Sequence, residues 1–127
     1  MDTRENVDHV VHMLKTLQAN LGLSVIVISA LNRQNYLTPI DFESFKESGG
    51  IEYTVDVLWG LQLSVMNDEI FNSERKIAEK REKIREAKAS NPRYVDLVCL
   101  KNRFGPASHT VHFAYYPASD LFVPILN

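Results

Sequence analysis

The stretch VDLVCLKNRFGPASHTVHF, residues 95–113, contains two apolar runs separated by a Gly-Pro turn. Runs rich in Val, Leu and Phe on both sides of such a turn predict two β-strands, at residues 94–103 and 110–116. Because alternate residues of a strand point to the same side, Lys101 and Arg103 are predicted to project together. A firmly held pair of cations suits a phosphate group, whereas cations at strand ends more commonly serve as solvated edge protection.

The sequence before this stretch predicts an α/β fold in a single domain over residues 1–127. Val and Leu at helical spacing over residues 7–21 predict a first helix, and the β-branched run at 23–29 predicts a strand covered on both faces. A short helical turn is expected around residues 41–46, and residues 55–63 predict a further strand.

A highly charged segment separates the predicted strands. The run SERKIAEKREKIREAKAS, residues 73–90, carries seven Lys and Arg and four Glu, with Ile77 and Ile84 as its large apolar residues. Residues 67–92 are therefore predicted to form a charged helical arm that ends at Pro92. A solvated helix is favoured over a dedicated DNA-binding element, although the positive charge of the arm keeps the second interpretation open.

Composition excludes several classes of protein. The chain has 127 residues and a net charge of −2, from 14 Lys and Arg against 16 Asp and Glu, so no overall positive field marks a histone-like protein. Its one cysteine, Cys99, excludes an internal disulfide and fits a reducing compartment. Neither an apolar run of about 18 residues nor a signal-like N-terminus is present, which predicts a cytoplasmic protein without a membrane partner.

Three segments, taken in order, resemble consecutive motifs of the RecA-like ATPase domain of DnaB-type replicative DNA helicases. They are VIVISALNR (25–33), FKESGGIEYTVDVLWGL (45–61) and the stretch at 95–113. The family typically has an apolar strand ending in Ser-Gln-Leu-Asn-Arg, then Arg-Glu-Ser-Gly with Ile-Glu-Gln-Asp-Ala-Asp, then Lys-x-Arg-Asn-Gly-Pro. The resemblance covers nearly the whole chain except the charged helix, which looks like a segment inserted into the family's sequence.

The resemblance implies roles for five residues. Arg103 and Lys101 fall on the arginine-finger pair, which reaches the ATP site of the neighbouring subunit. Lys46, Glu47 and Gly49 fall on the loop that faces single-stranded DNA in the channel of the hexamer. Lys46 replaces an arginine of the family, so a phosphate contact can persist there but a bidentate one cannot.

The chain departs from the family at the nucleotide site. The complete family domain binds ATP and Mg²⁺ through a Gly-rich loop ending in Gly-Lys-Ser/Thr and an apolar strand ending in Asp. None of the five glycines here is followed by lysine, and Ala30 replaces a glutamine that senses the γ-phosphate. The resemblance therefore implies the C-terminal half of the domain, a partial RecA-like sheet without the P-loop strand. Alone, this chain is expected to bind no cofactor and to hydrolyse no ATP.

Loss of the P-loop strand would remove the middle of a parallel sheet. The flanking strands, at 23–29 and 55–63, are then expected either to pair directly or to recruit another chain. That chain would be a second copy, giving a homo-oligomer, or the missing N-terminal half of the ATPase domain. The alternative function is a non-catalytic helicase remnant or accessory module that binds DNA or a protein without turnover.

Other candidate chemistry is weaker. The spacing H-x-x-H occurs at His9/His12 and at His109/His112, but neither pair is expected to bind zinc. The first pair is predicted to lie on the helix away from its valine-leucine face, and the two histidines of the second pair would point to opposite faces of a strand. The Glu-x-Lys triplets of the charged helix resemble those of some nucleases, with Asp56 or Asp96 as partners, yet composition alone explains them. Cys99 is expected to be an inert core thiol.

Overall fold

A four-stranded antiparallel sheet organises the described part of the chain, residues 3–30, 37–41 and 51–126 of a computed structural model. Within these ranges the fold is mixed α/β. The strands lie in the order β1-β2-β3-β4, and they are β1 Val57–Leu63, β2 Arg93–Asn102, β3 Thr110–Tyr116 and β4 Leu121–Pro124.

Within the described ranges, four α-helices and two 3₁₀ turns accompany the sheet. The helices are α1 Thr3–Leu21, α2 Ile51–Thr54, α3 Glu69–Ser73 and α4 Ile77–Ala89, and the turns are Ser64–Asn67 and Pro117–Ser119. The first helix ends where predicted, because Gly22 adopts a φ of +63°, a left-handed conformation that glycine accepts at a helix end. The charged arm predicted at residues 67–92 is helical in part: it contains two helices, α3 and α4, which residues 74–76 separate and which connect β1 to β2, and α4 ends at Ala89.

The core lies where α1, α2 and the segment 37–41 pack against β1 and β2. Its buried members are Val11, Ile40, Ile51 and Leu58, and four partly buried residues pack against them, namely Val7, Val55, Val98 and Leu100. The backbone is especially close to a side chain at Gly60, where a Cβ atom would lie 2.2 Å from Ile40 Cδ1 and 2.9 Å from Cγ1. Glycine at position 60 is therefore a packing requirement.

Gly60→Ala is expected to lower the free energy of unfolding by about 1–3 kcal/mol, because the buried Ile40 side chain has to move to admit the methyl group. In an Ile40→Ala background, the same change is expected to cost at least about 1 kcal/mol less. Urea denaturation of both single variants and the double variant measures this coupling. Additive losses would contradict the proposed close contact.

The predicted buried strand at residues 23–29 is wrong. Residues 23–30 are irregular and exposed, and the side chains of Ile26 and Ile28 are 92% and 95% exposed. The sequence has strong β propensity, but a strand exists only where a neighbouring strand completes its backbone hydrogen bonds. Within the described ranges, no strand lies beside this segment.

The expectation of a parallel sheet is also wrong. All three strand pairs are antiparallel. The connection between β2 and β3, residues 103–109, is too short for the crossover that parallel neighbours need. The strands at 23–29 and 55–63 do not pair directly, so that alternative is excluded.

Boundaries of the remaining elements agree closely with prediction. The strand predicted at 110–116 is confirmed as β3. The strand predicted at 94–103 is β2, which begins and ends one residue earlier, and the strand predicted at 55–63 is β1, which begins two residues later. The short helix α2 and the edge strand β4 were not predicted. Of the turn expected at 41–46, only Asp41 lies within the described residues, and it is in neither helix nor strand.

Among the described residues, none of the helices combines the length and the apolar character needed to traverse a bilayer.

Candidate functional site

The turn after β2 holds its shape through the side chain of Asn102. Its Nδ2 donates to the carbonyl of Pro106 at 3.2 Å, and its Oδ1 accepts from the backbone N–H of Phe104 at 3.1 Å. The backbone N–H of Arg103 donates to the carbonyl of Asp56 at 2.9 Å, which ties the turn to the segment just before β1. The end of β2 is therefore anchored on both sides.

Lys101 is directed towards the end of α2. Its backbone pairs with Leu58 of β1, and its Nζ donates to the carbonyls of Glu52 and Tyr53 at 3.0 and 3.3 Å. Carbonyls at the end of a helix lack intrahelical partners and carry partial negative charge, so they attract an ammonium group. Lys101 thus links the strand end to α2.

Arg103 and Lys15 meet at one carboxylate, that of Asp56. Arg103 Nη1 and Lys15 Nζ both donate to Asp56 Oδ1, at 2.5 and 2.8 Å. The hydrogen bond from Lys15 holds the pKa of the Asp56 carboxyl below its usual range. The positive charges of Lys15, Arg103 and Lys101 lower that pKa further, against the opposing effect of burial. We call Lys15, Lys101 and Arg103 around Asp56 the cation corner.

Positive charge is in excess at the cation corner. Burial lowers the pKa of the Lys101 ammonium, and repulsion by Arg103 and Lys15 lowers it further. The carboxylates of Asp56 and Glu52 act in the opposite direction but do not compensate fully. Glu52 is buried, and its Oε2 has no hydrogen-bond partner among the described residues.

The donors of the cation corner suit the oxygens of an anion. A planar guanidinium beside two ammonium groups is a combination that phosphate accepts well. The corner is poorly suited to Mg²⁺, since cations outnumber carboxylates there. Across residues 3–30, 37–41 and 51–126, no group of three His, Cys, Asp or Glu is placed to hold a metal ion.

The structure brings together the predicted finger pair and adds two residues that sequence reasoning did not assign to it. Arg103 contacts the Asp56 carboxylate, and Lys101 contacts the carbonyls of Glu52 and Tyr53 just before it in the chain. Nothing in the sequence pointed to Lys15, because it is a single lysine on a helix and lies 41 positions before Asp56. Asp56 gave a weak indication of a site, because it is an acid directly before an apolar strand. The predicted DNA-facing residues Lys46, Glu47 and Gly49 lie outside the described residues.

Asp96 belongs to a separate buried network. Its side chain is 1% exposed and accepts from Ser64 Oγ at 2.5 Å and Asn67 Nδ2 at 2.7 Å. His112 Nδ1 lies 2.7 Å from the same carboxylate. These contacts join β2 to β3 and to the 3₁₀ turn that follows β1. A carboxylate enclosed in this way acts as a structural tie, which argues against the nuclease interpretation.

The histidines and the cysteine have structural surroundings. His12 Nε2 lies 3.5 Å from a carboxylate oxygen of Asp8 on the same helix, and the ring of His109 packs edge-on against Trp59. Cys99 is fully buried in β2, as expected for a core thiol. None of these contacts suggests catalysis.

Comparison with protein-family models gives no match, and comparison with curated proteins gives no significant match. Neither result bears on whether the chain is related to DnaB-type helicases. A functional interpretation therefore depends on the three motifs and on the geometry of the cation corner.

Proposed function

We propose that this chain is a portion of a DnaB-type, ATP-driven replicative DNA helicase, a hexameric motor to which it contributes an arginine finger in trans. The observation that carries the proposal is that Lys101 and Arg103 both leave one anchored strand end and bind the segment 52–56, in surroundings with excess positive charge. The Arg103 side chain is 47% exposed, so part of its guanidinium is accessible to a neighbouring subunit.

The two cations would have different roles in phosphoryl transfer. Nucleotide and Mg²⁺ would be held by the neighbouring subunit, which supplies the reacting phosphate and the metal. Arg103 would donate to the oxygens on which negative charge develops, through a planar set of N–H groups. Lys101 would add a point charge beside it and, through its bonds to the end of α2, keep the strand end in position.

The proposed DNA contact comes from the motif at 45–61. Lys46, Glu47 and Gly49 would line the loop that faces single-stranded DNA in the central channel. Lys46 would contact a phosphate as a point charge, without the bidentate geometry of an arginine. Such a contact contributes to affinity but does not read sequence.

The fold would be a partial RecA-like sheet completed by another chain, with residues 67–92 as an inserted charged arm. The exposed apolar side chains of residues 23–28 support this proposal. An apolar, β-prone segment without a strand beside it is a template for association with another chain. The partner would be a second copy or the N-terminal half that carries the P-loop.

Reconstitution tests this proposal. The genomic DNA upstream of the Met1 codon is the first place to search for a P-loop-bearing half. The chain alone is expected to show no ATP hydrolysis, and the combined halves are expected to hydrolyse ATP at a rate that single-stranded DNA increases. Hydrolysis by the chain alone, or none by the folded combination, would refute the proposal.

A non-catalytic remnant or accessory module is the second candidate. It is favoured because the Lys101 ammonium and one nitrogen of Arg103 are bound within their own chain, and because Ala30 cannot sense a phosphate. This candidate predicts binding of single-stranded DNA or a helicase partner with no turnover in any combination. ATP turnover in the reconstitution separates the two, and fluorescence anisotropy with labelled DNA measures the binding that the second candidate retains.

A further inference from the structure

The Asp56 carboxylate occupies the position that a phosphate oxygen would take between two cations. A single atom, Oδ1, accepts from both Arg103 Nη1 and Lys15 Nζ. Ammonium and guanidinium donors that converge on one oxygen are the arrangement found around bound phosphates. The carboxylate is 31% exposed, so it lies at the surface and is within reach of a competing anion.

The charges at the corner favour an additional anion. The charged groups that act on Lys101 are Lys15 from α1, Glu52 from α2, and Asp56 and Arg103 from the two strand ends. Three cations therefore face two carboxylates. A multiply charged phosphate chain would offset the excess more completely than Asp56 does.

Arg103 retains capacity to bind elsewhere while Asp56 holds it. A guanidinium has five N–H donors, and the side chain of Arg103 makes one hydrogen bond, from Nη1, among the contacts of the described residues. The same arginine can therefore begin to contact an incoming anion before its bond to Asp56 breaks. Exchange that begins in this way does not leave the guanidinium of Arg103 unpaired, and so avoids the cost of an unsatisfied charged donor.

We propose that Asp56 is an internal counter-anion that retains Arg103 and Lys15 in the resting chain and is exchanged for a phosphate oxygen of a polyphosphate ligand, with Lys15 as the third cation of that site. The inference rests on the proposed function only for the identity of the polyphosphate, a nucleotide held by a neighbour. The contact is autoinhibitory, because Arg103 is directed back onto its own chain until the ligand is present.

Binding of inorganic tripolyphosphate to this chain, measured by isothermal titration calorimetry, tests the exchange. Asp56→Asn removes the competing charge and is expected to tighten binding about tenfold. Lys15→Gln and Arg103→Gln each remove a donor and are expected to weaken binding about tenfold. Arg81→Gln, which removes an exposed cation of α4, is the matched control and is expected to have no effect.

Two results would overturn the proposal. One is unchanged or weaker binding by Asp56→Asn in a chain that remains folded by circular dichroism. The other is an equal loss of affinity in Arg81→Gln and Lys15→Gln, which would indicate diffuse attraction to surface charge. In the wild-type chain, the Arg103 Nε–Hε NMR signal is expected to shift on addition of tripolyphosphate, and an unchanged signal would also count against the exchange.

The outcomes separate this inference from the proposed function. Tripolyphosphate exchange at Asp56 without ATP hydrolysis by the reconstituted halves would support the exchange and refute the helicase. Hydrolysis that depends on Arg103, with Asp56→Asn showing no gain in tripolyphosphate affinity, would support the helicase and refute the counter-anion.

Discussion

Arg103→Ala is expected, under the proposed helicase function, to lower ATP turnover by the combined halves by about 10³-fold or more, with nucleotide affinity lowered by no more than about tenfold. The physical reason is that a finger in trans contacts the phosphate most strongly when charge develops on it in the transition state, so loss of the proposed finger lowers turnover far more than ground-state binding. Steady-state hydrolysis at saturating single-stranded DNA, with a fluorescent nucleotide titration in parallel, measures both quantities.

Two further variants sharpen the Arg103 experiment. Arg103→Lys keeps a positive charge but loses the planar donor set, and it is expected to recover only a small part of the turnover. Arg81→Ala removes a cation from the exposed surface of α4 and is expected to hydrolyse ATP at the wild-type rate. Retained turnover in Arg103→Ala, or an equally large loss of nucleotide affinity, would refute the finger assignment.

Asp96→Ala is expected to reduce the free energy of unfolding by about 3 kcal/mol. The carboxylate is buried and accepts from Ser64 and Asn67 beside the ring of His112, so its removal leaves these polar groups without their partner and opens space in the sheet. Urea denaturation followed by circular dichroism measures the change in the denaturation midpoint.

Two controls accompany Asp96→Ala. Asp96→Asn keeps the volume but replaces one acceptor oxygen with a donor, so an intermediate loss is expected. Glu86→Ala removes an exposed acid of α4 and is expected to change stability by no more than about 0.5 kcal/mol. A loss in Asp96→Ala no larger than that in Glu86→Ala would show that the network contributes little to stability.

The cation corner illustrates how far motif reasoning extends at a site. The spacing of Lys101 and Arg103 predicted a common direction, and the two side chains bind different groups of the segment 52–56, Lys101 the carbonyls of Glu52 and Tyr53 and Arg103 the carboxylate of Asp56. That they contact their own chain was not predictable from spacing. Lys15 lies on a helix far away in sequence, and only the packing of α1 against the core around Leu58 brings its ammonium to Asp56.

At residues 23–29 the sequence predicted an element that the structure does not contain. The composition of this run is that of a buried strand, and composition alone predicted one. Side-chain preference contributes little to strand formation compared with the hydrogen bonds that a neighbouring strand supplies. Because no strand lies beside this run in the described chain, the segment remains irregular and Ile26 and Ile28 remain exposed.

Local sequence determined those elements that a turn, an apolar run, a charged run or a helix-ending glycine marks. The Gly-Pro turn and the alternating runs around it specified β2 and β3, Gly22 specified the end of α1, and the charged run specified α4. Tertiary structure alone decided the pairing of β1 with β2, the irregular state of residues 23–29 and the meeting of Lys15 with Arg103 at Asp56. Backbone pairing and ion pairing between distant residues depend on which surfaces the folded chain brings together, and spacing along the sequence contains no record of that.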